Sequence, residues 1–463
     1  MKTGPPVFLL VCLATFASGG GVARSIWVNA PRSVSPAQQP ASRPQIPSIH
    51  VEVREVLVPV VVTDARGHSV LGLRSSDFKL FEDGVEQRIV SLTSAPDGAD
   101  KLFLPQPALP KPGIEPITPS EEGIGKPNQI YLGVIDTLNS RFENFVQIRD
   151  ALKKLFSKQE SGSLLYGLVA LSRSVKVIEP LTSDPTAVLR ALEDKQFANF
   201  IQESESSSRA LQELQLRKML DNYCLKCPCT QNRPGGACSS GPELAKIESF
   251  ATSSGEQDAG KLQTFLQHLQ DLAARLGALP GKRTMILISD GFTIQPGRNL
   301  FDLIAIYLND PGIAQRDPIP PLEAQVNAVL RVADDRNVVF YTLDSRGVYV
   351  VPAGGYDVTA PPASWKMGPV VAPKIEQQKR LAAAENDDGL IDLAEATGGL
   401  FFGNSNDLLK GLRQVLADGL SYYVLAYNSS NEATDGKFRK IQVTVDKKNL
   451  RMRAKQGYWA PAQ

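Results

Sequence analysis

The apolar positions of this 463-residue chain change period several times, and each change marks a new kind of element. Residues 51–56 alternate apolar and polar, and 57–62 continue as a β-rich run that Pro59 is expected to break. Alternation of this kind predicts half-buried strands. Residues 73–84 end in Asp83-Gly84, a dipeptide suited to the positive-φ positions of a two-residue hairpin turn, and 87–92 are expected to pair back. From 129 onward the pattern switches. Apolar runs at 130–136, 284–289 and 338–344 read as central strands covered on both faces. They alternate with stretches of helical spacing at 144–158, 185–195, 210–223, 261–276, 322–336, 389–396 and 407–420. Residues 164–171 and 175–181 supply further strands. Asp184-Pro185 is an N-cap followed by a proline at the first helical position. Repeated β-α alternation predicts an α/β fold with a doubly wound, mainly parallel sheet. The tail turns β again at 422–427, 438–445 and 452–458. It is expected to join the N-terminal strands in one β-sandwich built from both chain ends.

These patterns divide the chain. Residues 1–23 have a basic start, an apolar stretch over 7–17 and small residues after it, the form of a signal peptide. Residues 24–47 are rich in Pro, Ser and Gln and read as a flexible tether. A β segment follows at 48–95, then a Pro-rich linker at 96–127. The α/β domain spans 128–420, with an insertion at 200–255, and a β segment closes the chain at 421–463. No segment after residue 23 has the length and apolarity of a membrane span. The expected location is therefore secreted or periplasmic.

Composition adds little. A formal net charge of +1 exerts no global pull toward nucleic acid or membrane. Of five cysteines, Cys12 lies in the leader, and Cys224, Cys227, Cys229 and Cys238 crowd one short segment. In an oxidising compartment that cluster reads as disulfides stapling a loop, with a zinc site as the alternative and the pairing open. Lys437, Arg439, Lys440, Lys447, Lys448, Arg451, Arg453 and Lys455 make the last strands basic. They are read as a solvated sheet face, with a polyanion contact as the sharper alternative.

Chemistry concentrates at two aspartates that end buried strands, Asp136 in Asp136-Thr137-Leu138-Asn139-Ser140 and Asp290 in Ser289-Asp290-Gly291. Ligands of open α/β sheets gather beyond the carboxyl ends of such strands. Two carboxylates with nearby hydroxyls make oxygen ligands for a hard cation, whereas capping of adjacent backbone N–H groups is the plainer role.

These residues resemble the von Willebrand factor A domain, whose metal-ion-dependent adhesion site reads Asp-x-Ser-x-Ser, then a Thr, then an Asp in a Ser/Thr-Asp-Gly turn. Asp136, Ser140 and Ser289-Asp290-Gly291 match, Leu138 replaces the first serine, and Thr252 lies in the stretch where the threonine would fall. An ordered set of further motifs is similar to von Willebrand factor A-related secreted proteins described from acidobacteria. It comprises Val60–Gly67, Ser76–Gly84, Pro280–Arg283, Thr342–Gly347, Thr397–Gly399, Tyr422–Tyr427 and Gly457-Tyr458. The resemblance implies a divalent cation held by Asp136, Ser140 and Asp290, with Thr137 and Asn139 as additional ligands. Magnesium is the expected ion, and manganese and calcium are the alternatives. It also implies an adhesion-type protein that binds a protein or cell-envelope ligand through an acidic group.

Signatures of catalysis are missing: the chain has no Gly-x-Ser-x-Gly elbow, His-Glu-x-x-His or Walker loop. The expectation is a non-enzymatic binding protein. A metal-assisted hydrolase and a structural envelope component with a metal-free domain are the rivals.

Overall fold

The computed structural model describes residues 55–106, 117, 129–159, 162, 164–195, 197, 206–226, 241–348 and 371–462. The expected leader and tether, most of the Pro-rich linker, residues 349–370, and Cys227, Cys229 and Cys238 lie outside them. Among the described residues no helix is long and apolar enough to cross a membrane.

Six strands form the central sheet: β5 (Gln129–Asp136), β6 (Leu164–Leu171), β7 (Val175–Thr182), β8 (Lys282–Ser289), β9 (Val338–Asp344) and β10 (Phe401–Phe402). Their spatial order is β10-β9-β8-β5-β6-β7, and every pairing is parallel except β6 with β7. The chain builds outward from β5 through β6 to β7, then returns to β5's other side for β8, β9 and β10. The strand order therefore reverses between β5 and β8.

Period-two alternation splits each central strand between two cores. Ile130, Leu132 and Val134 of β5 face one cluster with Met285, Leu287 and Phe340, whereas Tyr131 and Ile135 face another with Ile286, Ile288 and Tyr341. The second face is covered by α1 (Asn144–Phe156), α2 (Pro185–Glu193) and α8 (Leu408–Leu420). In α1 the buried residues Phe145, Ile148, Leu152, Leu155 and Phe156 follow the three-and-four spacing read from the sequence. Asp184 caps α2, accepting a 2.9 Å bond from the Thr186 backbone N–H. The first face is covered by α4 (Pro242–Leu276), α6 (Glu323–Asp335) and α7 (Val371–Ala396). A further apolar cluster joins α3 (Ser206–Lys226), the start of α4 and α5 (Arg298–Leu308). Of the four clustered cysteines only Cys224 is described. It is partly buried near the end of α3 and is disulfide-bonded.

The remaining strands make two four-stranded sheets, both antiparallel and both mixing the chain's ends. One has the order β13-β1-β11-β4, from β13 (Leu450–Ala454), β1 (Glu55–Asp64), β11 (Tyr423–Asn428) and β4 (Ile89–Ser94). The other runs β14-β12-β2-β3, from β14 (Gly457–Trp459), β12 (Phe438–Val445), β2 (Phe78–Glu82) and β3 (Val85–Gln87). A single apolar cluster draws on both sheets, with Val58, Val60, Tyr423 and Leu425 from the first and Phe78, Leu80, Ile441 and Val443 from the second.

Three local expectations need adjusting. Strand β1 runs through Pro59, because the β13 ladder begins only at Val60 and one side of β1 carries no partner strand before it. The hairpin turn at Asp83 and Gly84 forms with positive φ at both positions, but the returning chain divides: β3 pairs with β2, and β4 crosses to the other sheet. The last expected strand likewise splits into β13 and β14 around Lys455 and Gln456, which are tied to Asp334 and to the Ala396 carbonyl.

The Pro280–Arg283 motif has a structural task. Arg283 is fully buried and donates to four backbone carbonyls: Leu279 (2.7 Å), Arg336 (2.8 Å), Phe103 (3.2 Å) and Leu104 (2.7 Å). The planar guanidinium, with donors in a fixed fork, suits such convergence.

Candidate functional site

The strand reversal places the carboxyl ends of β5 and β8 side by side. Ile135 is in register with Ile288, so Asp136 stands next to Ser289, and Ser289 is in turn in register with Asp344 of β9. The sequence-derived candidates Asp136, Thr137, Asn139, Ser140 and Asp290 are all buried here.

Asp136 is completely buried, and both its oxygens are occupied by protein donors. Oδ1 accepts the backbone N–H groups of Leu138 and Asn139, each at 2.9 Å. Oδ2 accepts Asn139 Nδ2 at 2.8 Å and the Ser289 hydroxyl at 2.6 Å. Four donors fill the roughly four acceptor positions that a carboxylate offers. Burial raises its pKa to about 6, against the lowering effect of these bonds.

Asp290 is arranged in the same way. Asn144 Nδ2 reaches both of its oxygens at 2.8 Å, and the Arg141 backbone N–H donates to Oδ2 at 2.9 Å. The Ser345 hydroxyl donates to Oδ1. Burial again raises the pKa, with the Ser345, Arg141 and Asn144 bonds opposing it. The Arg141 guanidinium lies 4.0 Å from Oδ2 and is largely exposed. Gly291 follows at φ +86, where an added Cβ would lie 2.4 Å from the Asn386 carbonyl oxygen.

The other candidates are committed elsewhere. The Ser140 hydroxyl accepts the Asp290 backbone N–H at 3.0 Å. Thr137 donates its hydroxyl to the Leu171 carbonyl at 3.2 Å. Asn139 Oδ1 accepts from Arg209 of α3 at 2.8 Å. Leu138 is 2% exposed and belongs to the apolar cluster on one face of the sheet, so its position supplies packing where a hydroxyl ligand would stand. Thr252 lies inside α4 and is half-buried.

These residues, as arranged, do not fit a divalent cation. Entry to Asp136 requires one of its four donors to turn away. Hydroxyl, amide and backbone N–H donors already occupy the places around both carboxylates. Among the described residues no group of three or more His, Cys, Asp or Glu side chains is placed to hold a metal.

Asp344, the third strand-end aspartate, pairs with Arg346 through Nε at 2.8 Å and Nη2 at 3.0 Å, and Arg346 also contacts Asp387. Asn144, Ser345 and Arg209 were missed as site residues, although Ser345 lies in the quoted Thr342–Gly347 motif. The turn that follows Ser140 is exposed and mixed in character: Phe142 and Val146 are each 49% exposed alongside Arg141 and Glu143, and Val348 after Arg346 is also 49% exposed.

The basic tail strands are largely neutralised. Arg439 pairs with Asp435 (2.8 Å), Lys447 with Asp77 (3.1 Å), Lys455 with Asp334 (2.7 Å), and Arg453 with Asp418.

No family model matches this chain, and no curated protein matches it. Solved structures give distant likenesses. A von Willebrand factor type A protein from Catenulispora acidiphila is 9% identical, with 73% of this chain and 66% of that chain covered and a TM-score of 0.27. Proximal thread matrix protein 1 from the mussel byssus is 12% identical at a TM-score of 0.28, over 64% of this chain and 48% of that one, so the match takes in about half of the mussel protein. The conserved hypothetical protein BatB from Bacteroides thetaiotaomicron is 10% identical at a TM-score of 0.24, with 62% of this chain and 98% of that chain covered. At these scores the likenesses carry no argument, and the reading of the crevice rests on its own geometry.

Proposed function

We propose that this chain is an exported, non-enzymatic binding protein of von Willebrand factor A-like build, with its α/β domain inserted between two halves of a β-sandwich. The observation that carries this reading is the pair of buried aspartate turns at the point where strand order reverses, under the exposed rim of Phe142 and Val146. Crevices at such points are where open α/β sheets bind their ligands. The site offers a hydrogen-bonded floor beside the exposed apolar side chains of Phe142 and Val146, and among the described residues no histidine or unengaged carboxylate is placed there to act as a general base. A protein or other envelope ligand is the partner proposed.

In this reading the crevice works without a resident ion. A structure of the mussel byssus protein carries a zinc-occupied MIDAS motif. Here Leu138 and the donors around Asp136 take the place of that chemistry. Thermal unfolding of the full chain with and without millimolar magnesium or manganese tests the point, with Asp136→Ala alongside. A ligand specific to the folded state raises Tm by mass action. No rise in the wild type is expected. A rise that disappears in Asp136→Ala would restore the cation-dependent site.

Binding itself is tested by a photo-reactive amino acid at Phe142 or Val146 in the producing cell. Discrete adducts are expected there and not at Val90, a slightly more exposed apolar residue on β4. Equal labelling at all three positions, or none, sinks the crevice as the working face.

A further inference from the structure

At the opposite end of β9 from Asp344, a cavity of about 430 Å³ opens between α6, the end of α7 and the tail strands. It falls within the size range of small-molecule sites. Its distance from the crevice is roughly 20 Å, the length of a seven-residue strand. Val326 and Leu330 of α6 and Val338 of β9 make one wall. Phe438 and Trp459 make another, packed edge to face with ring centroids 4.8 Å apart. The interior is thus apolar and partly aromatic.

The lining carries the neutral polar groups Asn327, Asn337, Thr397 and Gln456. Of its four charged groups three are acidic and one, Lys455, is basic, and the Arg331 guanidinium lies 5.6 Å from the centre of the Trp459 ring. Asp334 and Lys455 lie at the wall, each 11% exposed and joined at 2.7 Å, and Asp334 also accepts the Trp459 backbone N–H at 3.2 Å. That pair is internally neutral. Glu323 and Asp392 remain, both exposed at the mouth. Asp392 is further crowded by Asp388 and Glu395, whose charges, after burial itself, raise its pKa. A cation arriving at this mouth relieves that repulsion, whereas an anion adds to it.

We propose that this cavity binds a small organic cation, an ammonium group on an aromatic or aliphatic body. The body fills the space between Leu330 and the Phe438–Trp459 pair, and the charged head meets Asp392 and Glu323. The site is separate from the crevice and requires neither a metal nor the partner proposed for it.

The test is isothermal titration of the full chain with three probes of one shape: phenethylammonium, 2-phenylethanol and phenylacetate. Saturable binding is expected for the ammonium, about tenfold tighter than for the alcohol, with the carboxylate weakest. Asp392→Asn combined with Glu323→Gln is expected to remove the preference for the ammonium over the alcohol while keeping both bound. Leu330→Trp, which fills the space, is expected to abolish binding of all three. A melting curve beside each variant separates lost binding from lost folding. Failure of the ammonium to bind a folded wild type overturns the proposal. So does equal affinity for all three probes, or a preference that survives the combined Asp392→Asn and Glu323→Gln change.

Discussion

At the carboxyl ends of β5 and β8, Asp136 is surrounded by neutral donors; at the amino ends of the same strands, Asp418 pairs with one cation and lies near a second. Asp418 is completely buried in α8. It accepts from Tyr341 Oη at 3.1 Å and from Gln414 at 2.8 Å, and pairs with Arg453 of β13. Its backbone carbonyl lies 3.3 Å from Nζ of Lys282, which sits 3.9 Å from the centre of the Tyr422 ring. One end solvates a charge with dipoles, and the other ties the sheet to the tail with opposite charges. The first arrangement suits a binding floor, since no neighbouring charge is stranded when it shifts. The second is a fastening, because removing one member leaves another charge buried without compensation.

The strongest way to break this comparison is to remove the fastening. Asp418→Ala strands Arg453 and Lys282 and is expected to cost about 3–5 kcal/mol, read as a fall in the denaturant midpoint. Loss comparable to an ordinary surface substitution would mean that the cations find other partners.

A pH series sharpens it. Asp136 has a folded pKa of about 6 against an ordinary 3.8, so between those values the native state holds a proton that the unfolded chain has released. Its contribution therefore falls as pH rises through that window, by about 3 kcal/mol at most. Lys282 is pushed down to about 7 by burial from 10.5, and there the unfolded chain holds the extra proton, so stability rises as pH climbs above 7. The two ends together give a trough in stability between about pH 6 and 7. Equilibrium unfolding across pH 4–9 is expected to show it, with Asp136→Asn flattening the acid limb and Lys282→Met the alkaline one. The smallest effect expected is for Lys447→Ala, which removes a half-exposed pair with Asp77 and should cost under about 1 kcal/mol by the same assay.

The strands that build the sheet were legible because their apolar runs face cores on both sides, and the two aspartates were legible because they end such runs. What completes the Asp290 shell was not, since its donors arrive from remote parts of the chain. Asn144 reaches Asp290 across 146 residues and Ser345 across 55. Leu138 could be seen to break the adhesion pattern, but only packing shows it serving the core. Helix α4 begins at Pro242, well before the expected 261, because Ser253, Ser254 and Gly255 interrupt the apolar spacing. Gly255 is tolerated mid-helix by a close approach: a Cβ there would lie 2.8 Å from the Gly297 Cα. A propensity penalty and the contact that requires it look identical in one dimension.

The interleaving of the chain's ends has a consequence for the order of events in folding. Strand β1 is flanked by β11 and β13, β2 lies beside β12, and the Leu73 N–H reaches the Tyr423 hydroxyl 350 residues later. Neither sheet can close until the last strands have emerged, so the first-made segment waits, with its pairing edges open, for the last. Loop-closure entropy grows only slowly with such a separation, but contacts of this range slow folding and prolong the exposure of unpaired strands. The α/β part, whose sheet pairs strands within residues 129–402, can form during that wait. Once formed, it holds the two ends near each other and shortens the search that remains.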